Sequence, residues 1–534
     1  MRIDRKIAAH RSWAPMLLGL AVALGGCAAV GPDWHTPDAS APANWSAPAA
    51  SAAASLPVSA WRDDWWNSFN DPVLSQLVRD AQAQNINVQI ALSRIAQARA
   101  QRQAATGAYW PKIDGNASAT RQKISEKGVA TSLGGSSGGG SGGSSSGGQG
   151  GQSGGSSTPL PGSLLSPFNL FQVGFDASWE LDLWGKVRRQ VEAADASADA
   201  AVAGGQDARL SLAAEVARTY LQLRGVQAQL ALLDVDLNIQ KRLAGITRSR
   251  KKFGFDTDAE VAQIDAQVAS TQAQMPQLQQ QQAQLENQLG LLLALPPGAL
   301  NSVLDQAQPL PPEPPALPAG LPGDLLRRRP DIRQSEAQLH QVTAQIGVAE
   351  AALFPSLKLD LGGGFQSTEF PDLKTWAARF FNVGPQLSFP IFQGGQLRAN
   401  VKIADAAQQQ AVLQYRQTVL SAYHDADNAL IACAREHERA ADLHEQVAQL
   451  DRAVKVGFSR YRNGLVPFMQ VLQAERDYNQ AQQQLLQSQV TSASNLVALY
   501  KALGGGWQSA EQDAAAGADA SAVASQVAAA NPPT

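Results

Sequence analysis

The chain has 534 residues, with 43 Lys and Arg set against 46 Asp and Glu, for a formal net charge of −3. Only 17% of its side chains are charged, so no basic excess marks a nucleic-acid surface. Two cysteines, Cys27 and Cys433, are too few for a disulfide framework or a zinc-binding spacing.

The N-terminus reads as a targeting segment. Arg2, Arg5, Lys6 and Arg11 form a basic start, and residues 16–24 form an apolar run too short to span a bilayer as a mature helix. It ends in Leu24-Gly25-Gly26-Cys27, the lipobox pattern of bacterial lipoproteins. Residues 1–26 are then a signal peptide, and Cys27 carries N-palmitoyl and S-diacylglycerol groups. Ala28 follows rather than Asp, which makes outer-membrane sorting the default. Residues 27–60, rich in Ala, Ser and Pro, are expected to be an extended lipidated tether. No later segment approaches the ~18 apolar residues of a membrane helix, so any crossing must use strands.

A first structural repeat is expected over residues 61–308. Residues 72–109 carry helical periodicity, which Trp110-Pro111 ends because proline lacks a donor and restricts its predecessor. A weakly alternating strand follows at about 112–121. Residues 134–157 are all Gly, Ser or Gln, too polar to bury a core, and they lack the Gly-Lys-Ser/Thr ending of a phosphate loop. At about 169–183 the pattern has period two: Phe171, Val173, Phe175 and Ala177 alternate with Gln172, Gly174, Asp176 and Ser178. That length suits a tilted membrane strand of ~9–11 residues. Residues 186–252 then read as one helix, with a coiled-coil seam at Leu223, Val226, Leu230, Leu233 and Leu237. Gly254 breaks it, and a second helix is expected over 256–293.

Seven prolines in residues 309–322 mark a linker, after which a second repeat spans residues 323–507. A helix from 329 ends at Phe354-Pro355, strands are expected at about 356–366 and 380–392, and Pro385 and Pro390 weaken the second. A long helix over 397–461 breaks at Gly464, and a last helix reaches Leu503. Residues 508–534 form an Ala-rich tail. Residues 171–196 align with 381–406 without a gap at an offset of 210, with ten identities including Gly185 with Gly395 and Arg188 with Arg398. Only the hairpin breaks this register, by 34 residues, and the Gly/Ser tract supplies most of the surplus as an insertion at a loop tip.

The expected fold is mixed but mainly α, an internally duplicated helix-strand-strand-helix unit. Four strands cannot close a membrane barrel, and an open edge is not tolerated in hydrocarbon, so several chains must pool their strands. His437 and His444 lie seven residues apart among glutamates, unlike the i, i+4 pair of a zinc helix, and nothing else reads as a catalytic or metal constellation.

Six motifs, in order, resemble the TolC-like outer-membrane efflux proteins of the NodT-type lipoprotein branch. They are GCAAVGPDW at 26–34, DLWG at 182–185, RRPDI at 328–332, IGVAEAALFP at 346–355, PIFQGG at 390–395 and LYKALGGGW at 499–507. The resemblance implies a homotrimer with a 12-stranded outer-membrane β-barrel continuous with a periplasmic α-helical barrel. It also implies a periplasmic adaptor and an inner-membrane pump of the resistance-nodulation-division type as partners. The helix breaks at Gly254 and Gly464 would then lie at the periplasmic tip, with Arg462 and Arg476 near the turn tying neighbouring helices to acidic groups. Met469 and Gln473, one helical turn apart, would line the closing constriction as an uncharged ring. Gln172, Asp176, Ser178 and Gln386 would face the barrel lumen, with Trp110, Trp179 and Trp184 as membrane-interface anchors. The expected function is a passive exit duct for small toxic compounds. A protein-secretion channel and a structural coiled-coil envelope lipoprotein are the alternatives.

Overall fold

The computed structural model describes residues 29–37, 64–123, 167–306, 308–312 and 328–505. Cys27, the Gly/Ser tract at 134–157, the linker from 313 onward and the 508–534 tail lie outside the described residues. The chain divides into two units. One comprises Met1–Pro32, Gln103–Val191 and Gln345–Ile403; the other comprises Asp33–Arg102, Glu192–Ala344 and Ala404–Thr534.

The first unit holds the strands β1 (Lys112–Gln122), β2 (Phe168–Leu181), β3 (Ser356–Ser367) and β4 (Arg379–Ser388). They form one antiparallel meander in the order β1-β2-β3-β4, which leaves β1 and β4 without a neighbour on their outer edges among the described residues. β4 ends at Ser388, short of the 392 expected from sequence. Pro390 lies two residues beyond that end and has no amide proton to offer a ladder. At the sheet centre Gly174 faces Gly364, and a Cβ on Gly364 would lie 2.5 Å from the Gly174 Cα. Only two glycines let β2 and β3 approach so closely there.

The DLWG motif prepares the helix that follows β2. Both oxygens of Asp182 accept backbone amides, from Val187 and Arg188 at 3.0 Å each, satisfying donors that the first helical turn leaves open. Trp184 donates its indole N–H to the Pro355 carbonyl at 2.7 Å and stacks on Phe354. These contacts fix the orientation of its ring. Trp110 remains exposed. Residues 29–37, behind the lipobox cysteine, form neither helix nor strand. The Val30 amide donates to the Trp184 carbonyl at 3.0 Å, and Arg189 donates to the carbonyls of Val30 and Gly31 at 3.3 Å.

Helices α1 (Pro72–Gln84), α2 (Ile86–Gly107), α3 (Lys186–Lys252), α4 (Asp258–Leu292), the single turn α5 (Asn301–Leu304), α6 (Pro330–Ala351), α7 (Gln396–Arg462) and α8 (Phe468–Ala502) build the second unit and lead into the first. The duplication is metrical. α3 and α7 each have 67 residues, and α4 and α8 each have 35, at the offset of 210. At 1.5 Å per residue, α3 and α7 are each roughly 100 Å long. α2 and α6 also match, at 22 residues each.

The continuous helix expected over 72–109 is instead split at Asn85, whose backbone is extended at ψ 130°. Its side-chain oxygen caps α2 by accepting from the amides of Asn87 at 2.8 Å and Val88 at 3.2 Å. Its side-chain nitrogen donates to the Leu292 carbonyl at 2.8 Å. One buried asparagine thus starts α2 and closes the end of α4.

The main core of this unit gathers Trp65, Phe69, Tyr220, Leu223, Leu289 and Tyr500, with the Trp65 and Tyr500 rings stacked at 5.2 Å. Within it Arg224 is fully buried, bonding the Tyr220 hydroxyl, the Gln227 side chain and the Gln306 carbonyl. Cys433 is a small buried member of the same core. The RRPDI motif locks the C-terminal end of α8. Arg329 holds Asp331 through two bonds of 3.0 and 2.7 Å and gives a third, at 2.9 Å, to the Ala502 carbonyl.

Candidate functional site

The pairing register sorts the sheet into two faces, because directly opposed residues project to the same side. One set of rows runs Lys112–Ser178–Asp360–Gly384, Asp114–Asp176–Gly362–Asn382 and Ser118–Gln172–Gln366, and Gln386 pairs with Lys358 on the same face. Asn116 donates its amide to Asp176 across the β1–β2 ladder. The other face carries Ile113–Ala177–Leu361–Val383 and Gly115–Phe175–Gly363–Phe381. Phe175, Phe381, Ile113 and Val383 are exposed there in the single chain. One side of the sheet is therefore polar, the other apolar, and Gln172, Asp176, Ser178 and Gln386 share the polar side.

In the helical unit, α3–α4 and α7–α8 each close in the same turn. Gly254 has φ +77° and Gly464 φ +70°, the left-handed conformation that terminates a helix. The Phe255 amide reaches the Arg250 carbonyl at 3.0 Å, and the Gly254 amide reaches Lys251 at 2.9 Å. Leu465 to Arg460 and Gly464 to Tyr461 repeat those bonds at the same two distances. The six-to-one and five-to-two pattern satisfies carbonyls that a helix end leaves open.

The two turns are stabilised differently. The first is ionic: Arg250 pairs with Asp256 at 3.1 Å, Arg248 with Asp265 at 2.5 Å, and Lys251 with Asp258. Thr257 and Glu260 form a capping box at the start of α4. The second has Pro467 in place of Thr257, with no side-chain cap. It relies on a small separate core of Leu243, Ala244, Ile264, Tyr461, Phe468, Val471 and Leu472, which joins both helical hairpins. Tyr461 links the two schemes. Its hydroxyl donates to Asp256 at 3.3 Å, and the Arg250 guanidinium lies 4.6 Å over its ring. Burial, reinforced by the Asp256 charge, pushes that hydroxyl up to about 12.

The arginines expected to seek acids behave otherwise. Arg476 crosses to α4 and donates to the Gln267 side-chain oxygen at 2.8 Å, a neutral partner. Arg462 is exposed and forms no ion pair among the described residues. The acid–base ties at the turn belong instead to Arg248, Arg250 and Lys251, one helical hairpin away in sequence.

Met469 and Gln473 lie on α8 just past the second turn, and both are exposed in the single chain. Gln473 donates its amide to Asp477 at 2.8 Å. Residues 469, 473 and 477 are spaced one turn apart and form one exposed stripe. The face expected to be uncharged therefore carries a carboxylate that sequence reading missed, although its i+4 spacing from Gln473 is visible in the sequence.

One unit holds a duplicated pair of long helical hairpins and the other a two-faced, open-edged four-stranded sheet, the elements of an outer-membrane channel. The chain belongs to the outer membrane efflux protein family, whose sequence profile matches residues 77–295 and 321–505. It is 31% identical over 496 residues to the pyoverdine export outer membrane protein OpmQ of Pseudomonas putida, covering 92% of this chain and 97% of that one. Nodulation protein T of Rhizobium leguminosarum bv. viciae is 30% identical over 478 residues, covering 90% of each. The solved outer-membrane channel OprN superposes with a TM-score of 0.79 at 33% identity, covering 90% of this chain and 99% of that one. OpmQ is named as an export protein of the outer membrane and OprN as an outer-membrane channel.

Proposed function

We propose that the protein is the outer-membrane exit duct of a tripartite efflux pump, passing small toxic compounds outward without chemistry of its own. The sheet carries this reading: it has one polar face, one apolar face and, among the described residues, two unpaired edges. Unpaired edge groups cannot remain in hydrocarbon, where each costs several kcal/mol. Three copies pooling four strands each make a 12-stranded barrel whose apolar face meets lipid. Gln172, Asp176, Ser178 and Gln386 then line the lumen, and the helices associate into a periplasmic tube. Lipidation at Cys27 anchors each copy to the outer membrane. A periplasmic adaptor and an inner-membrane pump of the resistance-nodulation-division type supply the energy.

The constriction is assigned to the Met469, Gln473 and Asp477 stripe. Purified protein in planar bilayers is expected to form a trimer with a low-conductance resting state. The double variant Met469→Ala/Gln473→Ser is expected to raise that conductance severalfold. An unchanged conductance rejects the constriction, and a monomer without conductance rejects the duct.

A further inference from the structure

On the side of the two turns, α3 and α8 share a polar cluster that the duct reading does not use. Asp236 on α3 is buried, and both its oxygens are engaged: Asn479 on α8 donates to one at 2.5 Å and Gln240 donates to the other at 2.8 Å. Gln240 is 4% exposed, and its own side-chain oxygen is buried without a hydrogen-bond partner. A buried acceptor left unpaired costs about 1–3 kcal/mol, so this position is short of a donor. Gly225 lies against Val490 and Asp236 meets Asn479, so α3 and α8 run antiparallel, and Glu475, one turn before Asn479, comes level with Gln240, one turn after Asp236. Arg476, the residue after Glu475, turns away to Gln267 on α4, and no cation figures among the charges acting on Glu475. Two carboxyls and one orphan amide oxygen therefore share this stretch of α3 and α8.

We propose that Asp236, Gln240, Glu475 and Asn479 form a proton-binding site that latches α8 to α3, with the proton resident on the Glu475 carboxyl. A protonated carboxyl is a donor of the kind that Gln240 lacks, and it removes the like-charge repulsion toward Asp236. A metal cation would be drawn by the same oxygens, but the two amide donors already on Asp236 favour the smaller ligand. Burial, with the Asp236 charge adding to it, raises Glu475 to about 7. Burial raises Asp236 as well, opposed by its two amide donors.

The sign follows from linkage. A carboxyl raised in the packed state favours packing while protonated. That contribution is complete below its ordinary value near 4.5 and is lost as pH rises through about 7. The latch is therefore closed in mildly acidic medium and weakened in alkaline medium.

The test is hydrogen–deuterium exchange of α8 peptides in the intact detergent-solubilised protein, corrected for intrinsic rates, from pH 6 to pH 8. Protection is expected to fall by up to about tenfold across that range, less where solvent screens the pair. Glu475→Gln is expected to abolish the dependence and keep the pH 6 protection at pH 8, and Asp236→Asn to reduce it only in part, since burial of Glu475 remains. A dependence that persists in Glu475→Gln, or is absent from the parent, overturns the proposal. Restoration of parental protection at pH 8 by calcium chloride also overturns it, in favour of a metal site. None of these outcomes depends on whether the chain conducts.

Discussion

Phe468→Ala is the sharpest perturbation of the tip. Phe468 is the first residue of α8, only 1% exposed, and its ring lies 5.5 Å from that of Tyr461. Removing a buried phenylalanine costs about 3–5 kcal/mol through lost transfer energy and the cavity left behind. Phe468 belongs to the small tip core of seven buried residues, separate from the main core. The cost should therefore appear as local opening and not as global melting. Taking the lower figure of about 3 kcal/mol, the opening equilibrium shifts by a little over a hundredfold. Met469, the next residue, is 37% exposed, so Met469→Ala should change stability by only about 0.5 kcal/mol. Hydrogen exchange of peptides spanning 455–475, against peptides spanning 212–226, measures both effects in one experiment. Equal loss of protection in the two regions, or none at the tip, refutes the assignment of a separate tip core.

Two further substitutions probe close approach and turn geometry. A Cβ on Gly225 of α3 would lie 2.4 Å from Val490 Cγ2 on α8, and Val490 is stiff at χ1. Gly225→Ala should lower the thermal midpoint through about 1–3 kcal/mol of overpacking, and Val490→Ala added to it should recover most of the loss. Gly464→Ala meets no neighbouring atom but must hold φ +70°, so its tip exchange should accelerate by roughly 1 kcal/mol. Gly245→Ala, inside α3 and equally open, should be neutral or stabilising by about 0.5–1 kcal/mol.

What could be read in advance was whatever repeats. The 210-residue offset survives from Phe171 to Leu503, and the structure returns it as helices of equal length and turns with the same hydrogen bonds. Strand alternation was legible for the same reason, since period two places polar and apolar residues on opposite faces whatever the partner strand. The failures come from single side chains whose roles depend on tertiary neighbours. Asn85 looked like one more polar residue in a helix, and only its bond to the Leu292 carbonyl reveals a cap shared by two helices. Arg476 was expected to meet an acid, but the side chain facing it on α4 is Gln267. Glu475 was passed over because its burial beside Asp236 requires a contact between elements some 240 residues apart, which no local pattern encodes.

The two turns began as one piece of sequence and now answer to different solvents. The copy closed by arginine and lysine partners is tuned in part by dissolved ions, since mobile salt screens its two exposed charge pairs, Arg248–Asp265 and Lys251–Asp258, with a screening length of about 8–10 Å at ordinary strengths. The copy closed by Phe468 and its oily neighbours ignores ions and weakens on chilling instead. Because Tyr461 bridges the two, salt and cold act on one tip through different groups.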